Sequence, residues 1–278
     1  MSFQPVVPLS GLSGWRFLER TEAAQRETFN KGPELARDIA YFRENIGAVE
    51  TAEDLVGDRR LLKVALGAFG MSEEIDKRAF VRKILEDGTE DPSAFANRLV
   101  DRRYKEFAAT LGFGNISGSR LGLSSVVDGI VDGYMSRSFE EAVGNVDQTM
   151  RLALNFRREI REIAGGPGTE TARWLNVLGD RPMREVMIQA LGIPNETSSL
   201  DLDKQAEIFA DRAQRTFGAS DPAMFGDPAK VDEAIRTYLL RAQAANGPSI
   251  TTPGFTALTL LGGAGASAGI TNLVLSRT

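Results

Sequence analysis

Chemistry in this sequence would have to come from its acidic and basic side chains, because it contains no histidine and no cysteine. Their absence excludes a Ser-His-Asp triad, a thiolate nucleophile and a zinc site with nitrogen or sulfur ligands. Paired carboxylates, lysine Schiff bases and phosphate-binding glycine loops are the chemistries that remain.

None of the remaining chemistries has a clear signature. Residues 263–269, GAGASAG, resemble a phosphate-binding loop, but no Lys-Ser/Thr pair follows them and no apolar strand precedes them. The 38 acidic residues show no pattern that selects two of them as a catalytic pair. We therefore predict a non-enzymatic protein without catalytic residues, cofactor or metal. An enzyme that uses carboxylate or lysine chemistry is a less favoured alternative.

One pattern of charged and apolar residues occurs twice. Residues 55–71, LVGDRRLLKVALGAFGM, return in altered form as residues 177–193, VLGDRPMREVMIQALGI. In each copy an aspartate, Asp58 or Asp180, stands where it can cap the amino terminus of a new helix. This folding role argues against a catalytic role for either aspartate.

The glycines of the two copies are predicted to end helices. Gly57 and Gly179 precede the aspartates, and a left-handed conformation there would stop the preceding helix. Gly70 and Gly192 follow the apolar stretch and predict Schellman motifs. The recurrence predicts a duplicated helical unit.

The spacing of apolar residues between positions 14 and 245 predicts helices throughout and no strand. We expect the longest helix at residues 138–163, starting at a Ser138–Glu141 capping box. The predicted fold is all-α: an irregular multi-helix bundle built from an internally duplicated helical unit joined by a long central helix. Four regions are predicted: an N-terminal apolar arm with the first helix (1–37), repeat 1 (38–135), the long helix with repeat 2 (136–250) and a Gly/Ala-rich apolar tail (251–278).

Both chain ends carry apolar segments that could contact a partner. Residues 255–275 contain no charged side chain, but their centre is mostly Gly, Ala and Ser, so we predict no stable membrane insertion. Packing on the chain itself and ordering on a partner are equally favoured for this tail. The candidate partner-binding residues are Trp15, Phe255, Leu258, Leu260, Leu261, Leu273, Val274 and Leu275.

Composition limits the other partners. A net charge of −5 with interleaved acids and bases predicts no nucleic-acid binding. The first residues, MSFQPVVPLSGLSGWRF, lack the basic start and sustained apolar run of a cleavable signal peptide.

Four runs of residues together resemble a known family. They are VPLSGLSGWRFLERT, YFRENIGAVETAEDLVGDRRLLKVALGAFG, FEEAVGNVDQTMRLALNFRREI and LDLDKQAEIFADR. The sequence is similar over residues 8–245 to the family of unknown function numbered 1217. The resemblance implies a gene in an alphaproteobacterial flagellar cluster and implies no enzymatic activity.

From this resemblance we predict a flagellum-associated structural or assembly protein that acts through flagellar or other protein partners. A cytoplasmic flagellar regulator or export chaperone is the alternative. The partner, the oligomeric state and the location, cytoplasmic or flagellar, stay open.

Overall fold

The computed structural model describes residues 3–246, and over these residues the chain forms thirteen α-helices and no strand. The predicted all-α, multi-helix fold is therefore confirmed. The helices are α1 (Gly11–Asn30), α2 (Pro33–Asn45), α3 (Ala52–Gly57), α4 (Arg59–Ala68), α5 (Arg78–Asp87), α6 (Phe95–Arg98), α7 (Arg102–Leu111), α8 (Ser124–Gly144), α9 (Gln148–Gly165), α10 (Glu170–Leu178), α11 (Arg181–Leu191), α12 (Leu202–Phe217) and α13 (Pro228–Asn246).

Buried apolar side chains form two large clusters. The first core joins α2, α3, α4, α5 and α7 to the first half of α8, with Phe42 and Leu62 fully buried. The second core joins α9 to α13, the start of α1 and the second half of α8, with Phe156 and Trp174 fully buried. Because α8 contributes Tyr134 to the first core and Phe139 to the second, this helix holds the two together.

The predicted long helix at residues 138–163 is wrong, because the chain breaks there into α8 and α9. Asp147 accepts hydrogen bonds from the backbone amides of Thr149 and Met150, so it caps a new helix. Val146, at the corner between the two helices, is 48% exposed. Ser138 lies inside α8 and starts no helix.

Helix starts at aspartates follow the prediction in the repeated segments. Asp58 accepts from the backbone amides of Arg60 and Leu61 at 2.8 and 3.1 Å. Asp180 accepts from the amide of Met183 at 2.8 Å. The chain changes direction at the extended backbone of each aspartate. The preceding helices end where predicted, α3 at Gly57 and α10 just before Gly179. The predicted left-handed conformation of these two glycines is wrong, because neither has a positive φ.

The glycines at the other ends of these two helices adopt the predicted conformation. Gly70 has φ of 67° and Gly192 has φ of 62°. The amide of Met71 donates to Leu66 at 3.0 Å, and the amide of Ile193 donates to the equivalent carbonyl at 2.9 Å. Both Schellman motifs are thus confirmed. The duplication itself stays a prediction.

Alanine substitutions at two glycines of the first repeated segment are expected to have opposite effects. Gly70→Ala should lower the free energy of unfolding by about 1–2 kcal/mol, because a side chain at positive φ is strained. Gly57→Ala should raise the free energy of unfolding by about 0.4–1 kcal/mol, because Gly57 does not have a positive φ and no atom lies near the new Cβ. Urea unfolding of both variants measures the difference; equal effects would contradict it.

The N-terminal arm packs on the first helix. The side-chain oxygen of Gln25 accepts from the amide of Val6 at 2.7 Å, and its amide group donates back to the Val6 carbonyl at 3.1 Å. Gln25 is buried, so this pairing fixes the arm against α1.

Candidate functional site

Two polar cavities of the described residues lie between the two cores. One, of 360 Å³, is lined by α7, α9 and the corner between α10 and α11; a second, of 510 Å³, is lined by α7, α8 and α9. Arg137, Glu106 and Glu159 line both cavities, so they border one continuous polar region. We call it the interdomain cleft and define it by the residues that line these two cavities.

Ion pairs between α8 and α9 form the inner wall of the interdomain cleft. Arg158 donates two hydrogen bonds to the carboxylate of Glu140, both at 2.9 Å, and also pairs with Glu159. Arg137 donates to Glu159 at 2.6 Å. Glu140 is only 3% exposed, so its charge depends on these partners. The hydrogen bonds to Glu140 and Glu159 raise the pKa of Arg158 despite its burial.

Arg103 ties the first repeated segment to the interdomain cleft. It pairs with Asp101 at 2.7 Å and donates to the carbonyl of Gly70, at the end of α4. The amide of its neighbour Arg102 donates to the carbonyl of Gly179 at 3.2 Å. One turn of α7 therefore contacts the end of α4 and the start of α11, which are distant in sequence.

The capping aspartates of the two repeated segments differ in their electrostatic surroundings. Asp180 is 8% exposed, and its burial, together with the charges of Glu159 and Asp101, raises its pKa. Burial also opposes ionisation of Asp58, but the Tyr41 hydroxyl, at 2.7 Å, and two backbone amides outweigh it and lower the pKa. The same sequence motif thus places Asp58 where its ionised form is stabilised and Asp180 where its ionised form is destabilised.

Two further groups of the interdomain cleft have shifted pKa values. Burial, with the charges of Glu159 and Asp180, raises the pKa of Glu106, although Arg102 acts in the opposite direction. Burial and the neighbouring charge of Arg158 lower the pKa of Arg137. Clefts that hold such groups are candidate functional sites.

Asparagine substitutions at Asp180 and Asp58 are expected to have opposite effects on stability. A raised folded pKa means that Asp180 favours folding at low pH and that this contribution is lost as the pH rises above the unfolded value of about 3.9. Asp180→Asn should therefore be more stable than wild type at pH 7. Asp58→Asn should be less stable at pH 7 by up to about 1 kcal/mol, because a neutral oxygen accepts more weakly.

Urea unfolding between pH 3 and pH 7 tests both variants. The advantage of Asp180→Asn should disappear as the pH falls towards about 4, where the unfolded carboxylate is protonated. The deficit of Asp58→Asn should disappear at still lower pH, because its folded pKa is lowered. Parallel pH profiles for the two variants would contradict this account.

The comparison with known families gives a clear result. A model of the family described as "Protein of unknown function (DUF1217)" matches residues 68–231, more than half of the chain. The chain belongs to this family. A comparison with curated proteins gave no significant match.

This DUF1217 chain is also similar to a solved structure. The crystal structure of a protein from Agrobacterium tumefaciens shares 27% sequence identity with it, at a TM-score of 0.71. The match covers 88% of this chain and all of that one. A protein of similar sequence therefore has the same overall arrangement of helices.

Of the predicted partner-binding residues of the DUF1217 chain, the structure describes Trp15, which does not line the interdomain cleft. Trp15 is 3% exposed and packs in the second core under Arg157, so its prediction as a contact residue is corrected to a core position. A large aromatic ring is most stable when it is removed from water. The other seven, Phe255, Leu258, Leu260, Leu261, Leu273, Val274 and Leu275, lie outside the described residues.

Sequence reasoning missed the arginines and glutamates of the interdomain cleft. Arg137, Arg158 and Glu159 stand in runs of mixed charge that are typical of solvated helix faces. The one available signal was Glu140, which falls in the apolar stripe of α8 next to Phe139. A charged residue at a core position indicates a buried ion pair.

Two other kinds of site are absent from residues 3–246. No group of three or more acidic residues lies close enough together to hold a metal ion. None of the helices in this part of the chain is long and apolar enough to cross a membrane.

Proposed function

We propose that this DUF1217 protein is a non-enzymatic, flagellum-associated structural or assembly protein that acts through protein–protein contacts. The flagellar context rests on the family resemblance of its sequence. The interdomain cleft supports a structural role, because its charged groups pair with one another within α7 and between α8 and α9.

An exposed isoleucine on a fixed loop is the observation that carries the proposal of protein contacts. Ile116 is 97% exposed, while its backbone amide donates to Glu90 at 2.9 Å. The neighbouring Asn115 accepts from the amide of Thr89 at 2.8 Å. These hydrogen bonds already order the loop. A partner that buries Ile116 would therefore bind without the entropy cost of ordering it. Leu123, at the end of the loop, is 51% exposed as well.

Loss of this side chain should weaken partner capture. Burial of an isoleucine is worth about 1.5–3 kcal/mol, so Ile116→Ser should reduce recovery of flagellar proteins in a pull-down by tenfold or more. Leu200→Ser is the matched control, because Leu200 is 46% exposed in a different part of the fold. Equal recovery by wild type and Ile116→Ser would remove the loop from the proposal.

The apolar tail is tested in the same pull-down by a chain that ends at Gly247. This shorter chain should recover less of the flagellar proteins if residues 255–275 contribute contacts. Equal recovery by the shorter chain and the full chain would exclude the tail.

Deletion of the gene in a flagellated host tests the flagellar role itself. We expect loss of filaments or of swimming, and a deletion strain that assembles filaments and swims like its parent would contradict the proposal.

The second candidate is a cytoplasmic flagellar regulator or export chaperone. Fractionation of cells with and without a working flagellar export gate distinguishes this candidate from a structural component. A structural component should leave the cytoplasm only when the gate works, whereas a regulator or chaperone should stay in the cytoplasm in both strains.

A further inference from the structure

An open groove of 410 Å³ lies beside the carboxyl end of α13. It is formed by the last two turns of α11, the residues that follow this helix and the last two turns of α13. Ile188, Ile193 and Ala245 supply its apolar lining. Because Ile188 is half-buried and packs against the second core, the groove extends that core to the surface.

The charged residues of the groove do not favour a charged ligand. One acid, Glu185, and one base, Arg241, line it, so the lining carries no net charge. The guanidinium of Arg241 lies over Gly192, where a Cβ would come within 2.5 Å of its Nη1 atom, and this atom is 3.5 Å from the carbonyl oxygen of Gln189. The cation is therefore placed at the carboxyl end of α11, where the helix dipole favours it. The groove suits an uncharged, apolar occupant.

The chain beyond α13 starts at this groove. The structure describes α13 to Asn246, the residue next to Ala245. Residues 247–276 contain no charged side chain, and their first apolar run is FTALTLL, residues 255–261. Eight residues separate Asn246 from Phe255, and this length of chain can span up to about 30 Å when extended. The apolar run can therefore reach the groove.

We propose that residues 255–261 of the same chain dock in the 410 Å³ groove, with their apolar side chains against Ile188 and Ala245. A short tether gives the run an effective concentration of about 1 mM at the groove, which favours it over a second copy of the chain or another protein. Burial of one leucine or phenylalanine would favour the docked state by about tenfold or more.

Docking would regulate access to the apolar run. A partner that binds residues 255–261 would have to compete with the groove, so its apparent affinity would fall as the docked fraction rises. This inference goes beyond the proposed function and does not depend on the flagellar role.

Disulfide formation in the full chain tests the proposal, because the wild-type sequence contains no cysteine. Gln189→Cys places one thiol in the groove, and Thr259→Cys places the other within the run without removing an apolar side chain. A disulfide requires Cα atoms within about 7 Å of each other, so it reports a run that lies in the groove. Oxidised glutathione is the oxidant, and intact mass with a non-reducing gel measures the rate at which the intramolecular disulfide forms.

Ser13→Cys combined with Thr259→Cys is the matched control. Ser13 is exposed on α1, two residues from Gly11, where a Cβ would lie 2.6 Å from the side-chain oxygen of Gln243 on α13. The control thiol is thus also close to the end of α13, but Ser13 does not line the groove. We expect the disulfide of the groove pair to form at least about tenfold faster than that of the control pair.

A third variant removes the apolar contacts of the run. Phe255→Asp with Leu258→Asp, added to the groove pair, should slow disulfide formation to the rate of the control. Asn195→Cys, at an exposed groove position, replaces Gln189→Cys if that variant folds poorly. The proposal is overturned if groove and control pairs react at equal rates or if the charged run keeps the faster rate. Disulfide-linked dimers in place of the intramolecular product would also overturn it, because they would assign the groove to a second copy of the chain.

Discussion

Replacement of Glu140 by alanine is expected to lower the free energy of unfolding by about 3 kcal/mol. Glu140 is 3% exposed and accepts two hydrogen bonds from Arg158, so its removal leaves the arginine without its main partner. Glu159 also pairs with Arg158, which keeps the expected loss at the lower end of the range for buried pairs. Urea unfolding followed by circular dichroism measures the change.

Glu27→Ala is the control for Glu140→Ala. Glu27 also pairs with a basic residue, Lys31 at 2.6 Å, but both side chains are about 70% exposed. An exposed pair contributes little, so this variant should unfold at nearly the same urea concentration as wild type. If the two variants lose similar stability, the buried pair between Glu140 and Arg158 contributes no more than an exposed pair.

Replacement of Trp174 by alanine is expected to lower the free energy of unfolding by about 4 kcal/mol. Trp174 is fully buried in the second core, where its indole packs edge-on against Phe209 with ring centres 5.7 Å apart. Its Nε1–H donates to the carbonyl of Ser220 at 2.8 Å. Alanine would leave a cavity and an unpaired carbonyl, and both contribute to the loss.

The control for Trp174→Ala is an apolar residue on the surface. Leu240, on α13, is 49% exposed, so Leu240→Ala should cost less than about 1 kcal/mol. Both variants are compared with wild type by urea unfolding at constant pH. A loss below about 2 kcal/mol for Trp174→Ala would contradict a second core packed around the indole.

The inner ion pairs of the interdomain cleft have a structural role. Arg137 and Glu140 of α8 pair with Glu159 and Arg158 of α9. Because α8 contributes to both cores and α9 to the second, these pairs fix the helix that the cores share on the second core.

Local structure was predictable where it depends on neighbouring residues. Asp58 and Asp180 cap their helices, and Gly70 and Gly192 end them, because these effects need only the backbone amides and carbonyls of the adjacent turn. Apolar spacing predicted the all-α fold for the same reason. The break between α8 and α9 was missed, since the apolar pattern continues through Asp147 and hides its capping role.

The interdomain cleft depends on contacts that no local pattern encodes. Arg103 reaches Gly70 across 33 positions, and Arg158 reaches Glu140 across 18. The sequence by itself determined the helices, their caps and the resemblance to the DUF1217 family. Only the tertiary structure decided that Asp180 is buried among charges while Asp58 meets a tyrosine hydroxyl, because burial and long-range electrostatics arise only when distant helices pack.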